Sequence, residues 1–258
     1  MPLFTHIAPK FNKGRILKTA MLENLRDFPR EFTDVYYRDY TDGIVTGAGI
    51  SVRTDSLTVA PGIVKHQGRI YIMKQPAALS YMATGRESAV KIRFQEGRED
   101  SDWQEFRSEI VLDQQLETRS SEMELCRFKL KDGARLRQDY QNFQDMATEY
   151  NTVNVLHVSI ASFGKSTLSP VIMRRFAEEM LGRGGADPQD MVFAMMCLNE
   201  GTVSRDVILH YIARRLGIAY KDYSNVEIHK YLARILEHAR GSSRMGMGLG
   251  ASQRMIVD

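Results

Sequence analysis

The hydrophobic period of the chain changes for good near Thr167, and that change limits the folds open to it. From Gly43 to about Leu130, apolar residues come in short β-branched runs that alternate with polar residues and are cut by turn dipeptides. After Thr167 they recur at intervals of three and four, in four segments that each open on a capping residue. A period of two marks strands with one buried face, and a period of 3.6 marks helices with one buried stripe. The two periods in separate blocks predict an α+β protein. An antiparallel β-rich domain, meander or sandwich-like, comes first, and a domain resembling a four-helix bundle follows.

The β block is clearest over Gly43–Met73, GIVTGAGISVRTDSLTVAPGIVKHQGRIYIM. Ile44 to Val52 is one run, ended by Thr54-Asp55. Leu57 and Val59 alternate with Ser56 and Thr58 until Pro61-Gly62, and Ile63-Val64 is turned by Gln67-Gly68. Ile70 and Ile72 then face one way, with Arg69, Tyr71 and Met73 facing the other. This spacing predicts a small antiparallel meander. Gly47 and Gly49 inside the first run predict a bulge or a close backbone approach. Val90, Ile92 and Phe94, alternating with Lys91 and Arg93, predict another strand, and Glu96 to Asp102 a charged loop before Trp103. Alternation puts Glu124, Cys126, Phe128 and Leu130 on one strand face and Met123, Leu125, Arg127 and Lys129 on the other. Tyr140, Phe143, Ala147 and Tyr150 stand at helical spacing and predict a short helix. Val153 to Ile160 reads as a strand or an extended connector.

Four helix starts follow. Ser169-Pro170 opens one that Gly182 ends, and Asp187-Pro188 opens a second reaching about Leu198. Ser204 opens a third, with Val203 and Ile208 as a hydrophobic staple and Gly217 at its end. Ser224 opens a fourth with Glu227 as a capping box, Tyr223 and Ile228 as the staple, and Gly241 at its end. Capping residues at the start, proline in the first turn and glycine past the end are the signals that bound helices. At the other end of the chain, residues 1–15 read as a mixed, basic arm or loop. Leu17, Met21, Leu25 and Phe28 predict a helix over Ile16–Phe28 that Pro29 stops, either a packing element or an arm that docks on a neighbour. Tyr36, Tyr37 and Tyr40 lead into the sheet and read as half-buried packing residues, or else as a stacking platform for sugars or bases. The expected divisions are 1–40 for arm and helix, 41–160 for the β-rich domain, 161–241 for the helical domain, and 242–258 for a flexible tail.

Charge sets limits on partners. The last 98 residues hold 13 basic and 10 acidic side chains, and the first 160 hold 22 of each. Neither part has the excess that marks a nucleic-acid surface. Arg174-Arg175, Arg214-Arg215 and Arg234 would make a basic patch only if three helices brought them together. The two cysteines, Cys126 and Cys197, sit in apolar surroundings and read as buried free thiols. No run approaches the roughly 18 apolar residues of a membrane span, and the N-terminus lacks a signal peptide's apolar core. A reducing cytoplasm is therefore the expected site of folding.

The strongest enzymatic signal is SIASFGKST, Ser159 to Thr167. A phosphate-cradling loop reads G-x-x-x-x-G-K-[ST], and here Gly164, Lys165 and Ser166 match while Ser159 replaces the first glycine. Residues 159–166 are thus a degenerate P-loop, and the helix after them starts late, at Ser169-Pro170. The histidines, His6, His66, His157, His210, His229 and His238, show no metal-binding spacing, and His229 and His238 read as surface or flank positions. No catalytic, cofactor-binding or metal-binding residue is assigned, and no cofactor is expected.

DYTDGIVTGAGISV, then DSLTVAPGIVKHQGRIYIM, and ELCRFKLKDGARLR at Glu124–Arg137, resemble the N-terminal region of tail and baseplate proteins of phages and phage-like particles of Gram-positive bacteria. Some members of that family carry a helicase-like label. The resemblance implies a structural, non-enzymatic component of a tail tip or baseplate. Its implied partners are other baseplate proteins, a tail fibre or receptor-binding protein, and further copies of itself, a trimer being favoured, with no nucleic acid and no membrane. The implied location is the particle, assembled in the host cytoplasm. Two alternatives remain open: a nucleotide-dependent enzyme built around Lys165, and a receptor- or glycan-binding module built on the tyrosines.

Overall fold

The computed structural model describes residues 3–183 and 187–245, the side chains of 240–245 excepted. The first element, α1 (Thr19–Tyr36), starts later than the spacing predicts and runs straight through Pro29. Proline at this position cannot donate to the carbonyl of Leu25 and crowds it. No residue of α1 is buried, so water can reach that carbonyl and the helix is not broken.

The Gly43–Met73 stretch is antiparallel throughout, but it is not one meander. Its strands are β1 (Gly43–Gly47), β2 (Ile50–Val52), β3 (Ser56–Val59), β4 (Gly62–His66) and β5 (Arg69–Met73), followed by β6 (Ala77–Ser80). They divide between two sheets, ordered β1-β4-β5 and β2-β3-β6. The chain changes sheets at Gly47-Ala48-Gly49 and returns at Ala60-Pro61. The two corners touch through backbone: a Cβ on Gly47 would lie 2.3 Å from the Pro61 carbonyl oxygen, and one on Gly62 would lie 2.4 Å from the Ala48 nitrogen. Gly47 also has φ +69°, a region that glycine enters at no steric cost. The predicted close approach is thus real at Gly47, whereas Gly49 has open space around it. Gln67 and Gly68, both with positive φ, close the β4–β5 hairpin in the left-handed turn that suits strand twist.

A third sheet comprises β7 (Glu87–Phe94), β10 (Ser108–Asp113) and β11 (Glu122–Lys129), ordered β10-β7-β11. Between β7 and β10 the charged segment forms a small hairpin, β8 (Arg98–Glu99) with β9 (Gln104–Glu105), rather than a plain loop. β11 carries a bulge. Glu124 faces Lys91 and Cys126 faces Val90, leaving Leu125 as the extra residue. One extra residue exchanges the faces beyond it. Met123, opposite Ile92, therefore shares its face with Cys126, and Glu124 shares the other with Arg127, to which it is paired at 2.7 Å. The face assignment read from alternation is corrected accordingly. Leu57, Val59, Val90, Leu125, Cys126 and Phe128 are the centre of this core.

Residues 130–169 hold a single 3-10 turn, Gln144–Ala147, in place of the expected helix. Asp145 accepts from the Arg137 guanidinium, the Gln141 amide and the Thr148 hydroxyl, and these bonds hold a loop instead. Residues 153–160 form a connector rather than a named strand, bridged to the sheets through Asn154 and Ile160. Val153, Val158 and Ile160 pack into the β core, while Leu156 and Leu168 pack into the helical one.

The helices are α2 (Pro170–Leu181), α3 (Pro188–Asn199), α4 (Arg205–Leu216) and α5 (Asn225–Met245). Asp187 accepts the Gln189 amide at 2.8 Å, and Ser224 and Glu227 form the capping box. Ser169 and Ser204 make no side-chain cap bond. Gly217 ends α4 at φ +65°, but α5 continues past Gly241 to Met245. Glycine inside a helix costs only about 1 kcal/mol relative to alanine, which is too little to end one. The tail expected from 242 begins inside α5, and its residues 246–258 lie outside the described residues. His229 belongs to the core, not to a flank. Its ring stacks on Phe143 at 4.3 Å and its Nε2 lies 2.9 Å from the Phe143 carbonyl oxygen. His238 is exposed, as read.

Candidate functional site

Lys165 sits at the tip of a narrow loop. Ile160 and Thr167 exchange backbone hydrogen bonds at 3.2 and 3.0 Å, so residues 161–166 turn back on themselves. A phosphate cradle instead runs from a strand directly into a helix N-terminus, with free amides and a free lysine. Here Leu168 and Ser169 still separate the loop from α2. Lys165 Nζ lies 3.0 Å from Asp206 Oδ1, which also accepts from the Tyr220 hydroxyl at 2.9 Å. The match at Gly164-Lys165-Ser166 is thus a loop tip pinned to α4.

The other candidate groups are dispersed or structural. Cys126 and Cys197 are buried thiols. Burial pushes the Cys126 thiol well up and that of Cys197 up to about 12, which removes the thiolate a nucleophile needs. Burial lowers the pKa of His66, His157 and His229. Among the described residues no three His, Cys, Asp or Glu side chains are grouped to hold a metal ion. The arginines do not converge: Arg174, Arg214 and Arg234 are exposed, Arg175 pairs with Glu178 and Glu179, and Arg215 pairs with buried Asp190 at 2.9 Å.

The sequence reading missed the buried charges. Lys91, fully buried in β7, donates to the carbonyls of Gln115 and Glu117 and to Glu122 Oε2 at 3.1 Å. Burial works against ionisation of Glu122, but bonds from Lys91, the Arg119 amide and Arg93 outweigh it and hold its carboxyl below the usual range. Lys91 alternates with apolar residues, which reads as a solvated face, and no local signal marks its partner 31 residues on.

The arrangement with a functional reading is the N-terminal arm. Of the 21 exposed large apolar side chains among the described residues, 12 lie in residues 3–36, with Phe4 98% exposed. Contiguous exposed apolar surface of this kind is what contacts with proteins, membranes or ligands use. The arm is fixed at its root. Lys65, 6% exposed in β4, donates to the carbonyls of Tyr37, Arg38 and Tyr40. An ammonium group at that position satisfies the carbonyls just beyond α1 and complements the negative end of its dipole. Tyr37 and Tyr40 are half-buried packing residues, as expected, while Tyr36 is exposed. Beside α1, a cleft of about 840 Å³ opens against β5 and the β8–β9 hairpin, lined by Arg26, Arg30, Ile70, Ile72, Trp103 and Phe106.

No family model matches the chain, and no curated protein matches it. Among solved structures, the chain is similar to one in the type VI secretion system TssK-TssF-TssG baseplate subcomplex determined by cryo-electron microscopy. The TM-score is 0.39 and the identity 10%, over 91% of this chain and 100% of that one. It is also similar to the crystal structure of TssK, with a TM-score of 0.36 and 10% identity, over 95% of this chain and 70% of that one. At these scores the likeness is a loose correspondence of chain path. Among the described residues no helix is long and apolar enough to cross a membrane.

Proposed function

We propose that the chain is a non-enzymatic structural subunit of a phage or phage-like tail tip or baseplate, held in place by its N-terminal arm. The observation that carries this reading is the arm itself, an apolar segment anchored at Lys65 with no buried residue in α1. The likeness of DYTDGIVTGAGISV and the segments after it to tail and baseplate proteins supplies the kind of assembly. In this reading residues 1–40 dock, 41–160 anchor and oligomerise, and 161–241 contact neighbours such as a fibre or receptor-binding protein. Residues 242–258 form a tail that orders on assembly. Several copies take part, three being favoured, in a particle built in the host cytoplasm.

Deleting residues 1–36 tests the reading. Lys65 keeps the carbonyls of Tyr37, Arg38 and Tyr40, and no buried residue of α1 is lost. The truncated protein should therefore unfold within about 0.5 kcal/mol of the full chain. In a producing strain it should be absent from isolated particles, or the particles should fail to form. Particles of normal composition and shape carrying the truncated chain would overturn the proposal.

A further inference from the structure

Resting on that reading, we infer that the receptor for the arm is the β5 and β8–β9 face of a second copy of this chain. The two surfaces are complementary in charge. Residues 1–22 contain no acid and carry Lys10, Lys13, Arg15 and Lys18. Residues 95–105 carry Glu96, Glu99, Asp100, Asp102 and Glu105 against Arg98 alone. Asp100 and Glu105 have local work: Asp100 accepts the amides of Asp102 and Trp103, and Glu105 pairs with Arg107 at 2.8 Å. Glu96, Glu99 and Asp102 are exposed and have no ion-pair partner among the described residues, and the four cations of the arm have none either.

The surfaces also match in apolar character. The arm offers Leu3, Phe4, Ile7 and Phe11, and the face offers Trp103 at 75% exposure and Ile72 at 63%, on the wall of the cleft beside α1. The cleft itself is lined by Arg26, Arg30 and Arg69 with Asp34 and Asp102, so the charge complement lies beside it along residues 95–105, and the cleft takes the apolar anchor. Within one copy no ion pair joins the two surfaces among the described residues, which leaves the complement to another copy. A contact from the arm of one copy to the hairpin of the next joins unlike surfaces, and it closes into a ring when the rotation permits. A ring of three requires a rotation of about 120° between neighbouring copies. Each copy then gives one arm and receives one.

The test uses the full chain in sedimentation equilibrium over a range of concentration and salt. Wild type should associate, and more weakly at high salt, because exposed charges are screened. Lys10→Glu/Lys13→Glu/Arg15→Glu should weaken association at least about tenfold, as should Glu96→Lys/Glu99→Lys/Asp102→Lys, since like charges then face each other. Combining both sets in one chain, which makes the arm acidic and the face basic, should restore it. Trp103→Ala, at an exposed position that leaves the fold intact by circular dichroism, should weaken association without altering its salt dependence. Association unaffected by either charge set would overturn the inference. So would a wild-type monomer at every concentration, or an arm that cross-links to the hairpin of its own chain. Each of those results leaves the proposed structural role standing, because that role is decided by particles lacking residues 1–36.

Discussion

Lys91 shows how far a single side chain can depart from what its neighbours in sequence suggest. It lies in a strand with its ammonium group wholly enclosed, and three acceptors converge on it. Removing one partner of a buried pair leaves the other charge uncompensated, at a cost of about 3–5 kcal/mol. Lys91→Met should lower stability by that order in urea unfolding, and Lys91→Met/Glu122→Gln should recover part of it. His229 was legible as a residue but not as a core group, because the carbonyl it meets belongs to Phe143, 86 positions earlier. Burial keeps its ring neutral and depresses its pKa. Below about pH 6.5 the unfolded chain takes up a proton that the folded ring refuses, so stability falls with pH until the folded ring also titrates. His229→Gln should flatten that part of the stability-pH curve, with His66 and His157 supplying what slope remains. Lys165 lies at the opposite extreme, exposed and paired only with Asp206. Lys165→Ala should change stability by no more than about 0.5 kcal/mol. Calorimetric titration of either form with ATP and magnesium should show no saturable binding, and micromolar binding lost in the variant would restore the nucleotide reading.

At the level of elements, the sequence was most readable where local chemistry decides the outcome. The starts of α3 and α5 follow from the cap bonds of Asp187 and Ser224, settled within a few residues, while α2 and α4 start where Ser169-Pro170 and Ser204 mark them without a side-chain cap bond. It was least readable where an element answers to something distant. The bulge in β11 is set by pairing with β7, and Pro29 does not break α1 because no residue of that helix is buried. The corners between the first two sheets fall between these cases. Two glycines were visible in the run, but only the positive φ of Gly47 and the approach of Pro61 to it distinguish them. Gly47→Ala combines positive φ with a backbone clash and should cost about 1–3 kcal/mol in thermal or urea unfolding. Gly49→Ala, with open space around it, should cost far less, and equal effects at both positions would deny the corner its role.

For the whole molecule, the change of period at Thr167 was enough to read the α+β class, since each period demands its own kind of layer. It did not reveal that the 130–169 segment belongs to both cores, with Phe143 and Leu156 in one and Val153 and Val158 in the other. No periodicity reports a segment that alternates between two partners. The candidate surface was legible only in part. The arm could be read from Leu17, Met21, Leu25 and Phe28, while its anchor at Lys65 could not, because a lysine in GIVKH reads as a solvated strand residue.

That anchor also sets an order of events during synthesis. The carbonyls it holds are made first, and Lys65 follows 25 to 28 residues later. At about 5–20 residues per second, translation separates the two by roughly one to six seconds. During that interval the apolar arm is already made but has no fixed root. The time in which it can stick to the wrong surface is therefore governed by the speed of the ribosome, and a slow codon between Tyr40 and Lys65 would lengthen it without changing a single contact in the finished protein.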